Sequence, residues 1–126
     1  MRTLDFKGKV VAVTGASVGF GHAISTAFAA CGARVFATAL HVDALKGLQG
    51  IEADALDLMD RAAGAGWIRS IEARSGQALD VLVNNAGGML GQTHKPVDEV
   101  TDAEWDSIFA VNLPPLSRWS VRRPPL

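Results

Sequence analysis

Three glycines carry the strongest chemical signal in this sequence. The stretch "TGASVGFG" sets Gly15, Gly19 and Gly21 between the β-branched apolar run "KVVAVTG" and the apolar helical run "GFGHAISTAFAACG". With a strand before and a helix after, the first glycine permits a tight turn and the second lets the backbone approach a pyrophosphate. The third lets helix and strand pack closely, and the helix start points free N–H groups at an anion. The spacing differs from G-x-G-x-x-G, and a glycine cluster alone also describes a loop that merely turns. Other chemistries have less support. His22, His41 and His94 stand apart with no ligand cluster beside them, so no metal site is expected. The lone Cys31 reads as a buried structural thiol and leaves no disulfide possible within the chain. Trp67, Trp105 and Trp119 are too scattered for a stacking platform, and the first two read as helix packing residues.

The elements that must position these residues follow from periodicity. The strand at Lys9 to Gly15 shows no alternation, which suits burial on both faces of a parallel sheet. In the helix that follows, Ile24, Ala27, Phe28 and Cys31 recur at three and four, and Gly32 is a stop signal. "ARVFATAL" reads as a second strand, "HVDALKGLQG" as a short helix closed by glycine, and "IEADALDL" as a third strand weakened by Glu52 and Asp54. "MDRAAGAGWIRSIEARSG" reads as a helix despite Gly64 and Gly66, and "ALDVLVNNAGG" as a fourth strand with its turn. "TDAEWDSIFAVNL" reads as a helix opened by Thr101 with Glu104 at capping-box spacing. Alternating βαβα units imply an α/β fold, a doubly wound parallel sheet whose ligands bind beyond the carboxyl ends of the strands.

The totals agree. The 126 residues fit one domain, and a chain of that size buries roughly two-thirds of its unfolded surface. Hydrophobic residues at 48% and charged residues at 20% are near globular averages. A net charge of -1 gives no pull toward nucleic acid or anionic lipid. No stretch reaches the apolar length of a membrane span, and the N-terminus lacks an apolar signal-like run, so a cytoplasmic, soluble protein with no membrane or nucleic-acid partner is expected.

Four motifs, in order, resemble the short-chain dehydrogenases/reductases: "TGASVGFG", Asp57-Leu58 after the third strand, "NNAG" at Asn84 to Gly87 after the fourth, and "VNL" around Asn112. The resemblance covers roughly Leu4 to Leu113. It implies a Rossmann-type sheet of about four strands in order 3-2-1-4, binding NAD or NADP. Carried over residue by residue, Thr14, Gly15, Ser17, Val18, Gly19, Phe20 and Gly21 would hold the pyrophosphate. Asp57 would accept from the adenine amino group and Leu58 would line its pocket, although an exposed carboxylate at a strand end is also ordinary. Asn84, Ala86 and Gly87 would flank the adenosine ribose, part of the motif bracing the sheet, although asparagines there could serve turn chemistry alone. Ala39 occupies the place where an acid would bind the ribose 2′-OH, and Val18 the place of a frequent basic residue. The lean is toward NADP, with His41 the one nearby group able to meet a phosphate, unless it is simply solvated at a helix start.

The family's reaction is hydride transfer to or from an alcohol or carbonyl carbon of a small molecule. It uses a serine, a Tyr-x-x-x-Lys pair and a supporting asparagine, of which Asn112 alone has a counterpart here. The sequence contains no tyrosine. The tail "PPLSRWSVRRPPL" has neither helical periodicity nor a strand run, and paired prolines suit neither. Residues 1–113 therefore read as a dinucleotide-binding half-domain and 114–126 as a Pro/Arg-rich tail foreign to the family, as an altered reading frame would give; a natural tail that binds a partner is the other reading. A truncated, inactive oxidoreductase is expected, with a non-catalytic or vestigial nucleotide-binding product as the alternative. Oligomers are typical of the family, but their usual interface would be missing.

Overall fold

A computed structural model describes residues 4–58, 60–87 and 96–112. Four strands, β1 (Val10–Thr14), β2 (Arg34–Ala39), β3 (Ile51–Ala55) and β4 (Val81–Val83), form one parallel sheet in the order β3-β2-β1-β4. Helices α1 (Gly19–Ala30), α2 (Arg61–Ser75) and α3 (Asp102–Asn112) alternate with them. The expected fold class and strand order are both observed.

The unbroken apolar run of β1 is explained by what lies on either side. Val11 and Val13 face the α1 side with Val35 and Ala37, while Val10 and Ala12 face α2 with Phe36, Trp67, Ile68 and Ile71. Every residue of β1 is buried. The two acids of β3 fall on the α2 side beside Phe36 and find cations there. Glu52 pairs with Arg34 at 3.1 Å, and Asp54 pairs with Arg74 at 2.7 Å while accepting from Trp67 Nε1 at 3.0 Å. Trp67 thus packs in the core as expected, with its indole N–H satisfied.

Local signals set the helix ends. The Asp60 side chain accepts from Ala62 N at 3.0 Å to open α2, and Gly76, at φ 71, closes it by donating to Glu72 O. The capping box of α3 forms in both directions: Thr101 N donates to Glu104 Oε2 at 2.9 Å, and Glu104 N donates to Thr101 Oγ1 at 3.2 Å.

Four readings of the sequence are corrected. The segment "HVDALKGLQG" forms one 3-10 turn at Asp43–Leu45, because ten residues holding Gly47 and Gly50, both at positive φ, cannot offset the cost of a helix nucleus. The buried stripe of α1 runs through Gly21 and Ser25 with Ile24, Phe28 and Ala29 beside them, and Ala27 is exposed. A serine fits there because its hydroxyl donates to Gly21 O at 2.8 Å. Cys31 is half-buried at the C-cap of α1, so its thiol is not sealed in the core. Trp105 lies on α3 with 55% of its surface exposed and is not a core residue. His94, Trp119 and the tail from Leu113 lie outside the described residues.

Candidate cofactor site

The order β3-β2-β1-β4 reverses direction at β1, so the crevice beyond β1 and β4 is where a doubly wound sheet binds ligands. Two turns meet there. Thr14, the last residue of β1, accepts from Asn85 N at 3.0 Å and Ala86 N at 2.8 Å through its hydroxyl oxygen, and that hydroxyl donates to Val83 O at 3.4 Å. Asn85 Nδ2 donates to Gly15 O at 3.0 Å. One side chain from each turn therefore clamps the backbone of the other. Turn chemistry describes the backbone of Asn85, but its amide reaches across to the glycine loop.

The three glycines are required for different reasons. Gly15 has φ 63, and a Cβ on it would lie 2.9 Å from Ala86 Cα. Gly21 has an ordinary φ but no room: a Cβ would run into the carbonyl oxygen of Gly15 and stand 2.6 Å from Asn85 Nδ2. Gly19 has φ 59 and nothing within 4 Å of a Cβ position, so it serves its backbone conformation and opens onto free space. On the other side, Ala16 N donates to Thr38 O at 3.0 Å, tying the loop to the end of β2.

Helix α1 starts from this loop without a cap of its own. Its N-cap is Val18, with no side-chain hydrogen bond, and its first turn holds no acid, whereas Asp60 and Thr101 cap α2 and α3. Around it, Val18 is 74%, Phe20 83% and Leu40 65% exposed, an apolar rim beside the loop. The remaining expected residues fall along the same edge. Ala39 ends β2 and pairs with Ala55, the last residue of β3; Asp57, exposed, and Leu58, half-buried, follow β3. Ser17 lies in the loop and Gly87 is exposed beyond β4. Asn84 is half-buried just past β4, and its Oδ1 is buried with no hydrogen-bond partner among the described residues. Asn112 is the last residue of α3. Among the described residues no group of three or more His, Cys, Asp or Glu is placed to hold a metal, and no helix is long and apolar enough to cross a membrane.

The sequence that folds into these two turns matches the short chain dehydrogenase family over residues 9–121. The chain belongs to the short chain dehydrogenase family. Among curated members, D-threitol dehydrogenase of Mycolicibacterium smegmatis is 35% identical over 119 residues, covering 86% of this chain and 44% of that protein. The NADP-dependent (R)-specific alcohol dehydrogenase of Lentilactobacillus kefiri is 34% identical over 113 residues, covering 85% of this chain and 44% of that protein. Among solved structures, a short-chain dehydrogenase from Streptomyces avermitilis superposes with a TM-score of 0.80 at 36% identity, covering 89% of this chain and 42% of that one. The chain thus spans about half the length of the relatives it matches.

Proposed function

We propose that this chain is the dinucleotide-binding part of an NAD(P)-dependent oxidoreductase that moves hydride to or from an alcohol or carbonyl carbon. The observation that carries the reading is the clamp between Gly15, Gly21 and Asn85, which leaves no room for a Cβ at Gly15 or Gly21 while Gly19 and the uncapped start of α1 face open space. Such a loop suits a pyrophosphate, because backbone N–H groups can approach it with no side chain between and the helix dipole favours the negative charge.

In this reading Thr14, Gly15, Ser17, Val18, Gly19, Phe20 and Gly21 hold the pyrophosphate. Asp57 accepts from the adenine amino group, Leu58 packs on the base, and Asn84, Ala86 and Gly87 flank the adenosine ribose. Bound there, the dinucleotide supplies or takes up a hydride at its nicotinamide ring. Ala39 offers no carboxylate for a ribose 2′-OH, which leans the preference toward NADP, in line with the NADP dependence in the name of the Lentilactobacillus relative. Asn112 supports a proton relay. The sequence has no tyrosine to serve as its acid, so these 126 residues bind the cofactor without performing the proton transfer that carbonyl reduction needs. General acid–base catalysis of that kind contributes typically ~10²–10⁴-fold.

Two measurements test the reading. Calorimetric titration should give similar affinities for NADPH and for its adenosine-phosphate fragment, since the residues assigned to binding hold the adenosine and its phosphates and none holds the nicotinamide. Spectrophotometric assay of NADPH and NADH with a panel of ketones and aldehydes should stay at background. Turnover that purifies with the chain and disappears in Asn112→Ala, or a large affinity gain from the nicotinamide half, would overturn it.

A further inference from the structure

We propose that the surface formed by the 3-10 turn at Val97–Glu99 and the first half of α3 is the docking site of this chain's own Pro/Arg-rich segment, residues 114–126. That surface combines exposed apolar side chains with unanswered negative charge. Val97 is 84% and Trp105 55% exposed, and of residues 102–107 on α3 only Glu104 is half-buried, the rest being exposed. Asp98, Glu99, Asp102 and Asp106 are all exposed and make no ion pair among the described residues. Glu104 differs, since its carboxylate accepts from Thr101 N in the capping box. No Lys, Arg or His stands anywhere from Pro96 to Asn112. The dipole of α3 favours Asp102 and Glu104 in its first turn, but Asp98, Glu99 and Asp106 lie outside that turn. At 3.6 residues per turn, Asp102, Trp105 and Asp106 share one face of the helix.

The segment from Pro114 to Leu126 complements this surface in charge and in chemistry. It holds Arg118, Arg122 and Arg123 and no acid, with Pro114, Pro115, Pro124 and Pro125 at its two ends. A guanidinium both pairs with carboxylates and stacks on an indole face. Proline-rich segments dock on aromatic surfaces at low entropic cost, because proline already favours an extended backbone. The reach is sufficient. Trp105 lies about 10 Å back along α3 from Asn112 at 1.5 Å per residue. An extended chain covers about 3 Å per residue, which lets Arg118 stand up to about 18 Å and Arg122 up to about 30 Å from the helix end. Arg118 can therefore fold back to Trp105 and Asp102, and Arg122 and Arg123 to Asp98 and Glu99. A tether this short gives an effective concentration on the order of millimolar, which favours the chain's own segment over that of a second copy.

The test is paramagnetic relaxation in the isotope-labelled full chain, with Cys31→Ser so that a spin label at Ser120→Cys sits on the sole thiol. The label should take intensity from the amides of Asp98, Glu99 and Asp102 to Ser107. Proximity through the tether alone is measured with Arg118→Ser, Arg122→Ser and Arg123→Ser combined, where most of the loss at Asp98 and Glu99 should disappear. Trp105→Ala, a change at an exposed position, should reduce the loss in the same way. Reversing the surface charge with Asp98→Arg and Asp106→Arg should abolish it, and adding Arg118→Glu and Arg122→Glu should bring part of it back. Equal loss with and without the three arginines, or a charge swap that restores nothing, would overturn the docking. So would loss in a mixture of isotope-labelled chain without the spin label and spin-labelled chain without isotope, which would place the segment on another copy.

Discussion

Replacing Gly21 by alanine tests the clamp where it is tightest. The added methyl would enter the space of the Gly15 carbonyl and stand 2.6 Å from Asn85 Nδ2 and 2.8 Å from the Gly15 carbonyl carbon. Two of these three atoms are backbone, so relief requires the loop to move or helix α1 to withdraw from β1. Overpacking of this kind costs typically about 1–3 kcal/mol. Losing the Asn85 Nδ2 to Gly15 O hydrogen bond adds about 0.5–1.5 kcal/mol. A combined loss of about 2–4 kcal/mol corresponds to a drop of roughly 8–15 °C in melting temperature for a chain of this size. The control is Gly19→Ala, where a Cβ meets nothing within 4 Å and the strain is that of an alanine at φ 59, about 1–2 kcal/mol. Thermal unfolding followed by circular dichroism, with nucleotide affinity measured on the same samples, should rank wild type above Gly19→Ala and Gly19→Ala above Gly21→Ala. A Gly21→Ala chain that melts with the wild type, or above Gly19→Ala, would refute the claim that lack of space sets this position.

Thr14→Val keeps the shape but leaves the Asn85 and Ala86 N–H groups without their acceptor, and should cost about 2–3 kcal/mol in urea unfolding together with nucleotide affinity. Asp60→Ala removes the cap of α2 and should cost about 1 kcal/mol in the same assay. Ala39→Asp should shift binding from NADP toward NAD by restoring an acceptor for the 2′-OH, and an unchanged ratio in competitive titration would show that Ala39 does not border the ribose.

Much of the fold was legible because burial writes itself plainly into β1. A run such as "VVAVT" with no polar alternation has one good explanation, a strand covered on both faces, and α1 and α2 cover it. Capping residues were equally readable, since the Thr101 and Glu104 spacing acts within one turn of helix. What depended on distant partners was harder to see. Glu52 and Asp54 weakened the reading of β3 because Arg34 and Arg74, which answer them, come from other elements. The expected stripe of α1 ran through Ala27 and left out Ser25, because the hydroxyl's bond to Gly21 O is invisible to a hydrophobic period. At the site, the glycines announced a turn from spacing alone, but the amide of Asn85 reaching Gly15 joins residues seventy positions apart. No local pattern carries that bond.

The most direct test of the account is an amide chemical-shift titration of the isotope-labelled chain with NADP. Binding at the proposed site should move the backbone signals of Gly15, Ser17, Gly19, Phe20 and Gly21, those of Asn84 to Gly87, and those around Ala39 and Asp57, leaving the opposite edge of the sheet undisturbed. That edge carries a cavity of about 540 Å³ between the end of α1 and the start of β3, lined by Thr26, Ala29, Leu48 and Gly50 among others, which serves as an internal control. Shifts confined to those residues, or a glycine loop unmoved at saturating NADP, would contradict the claim that the loop after β1 holds the cofactor.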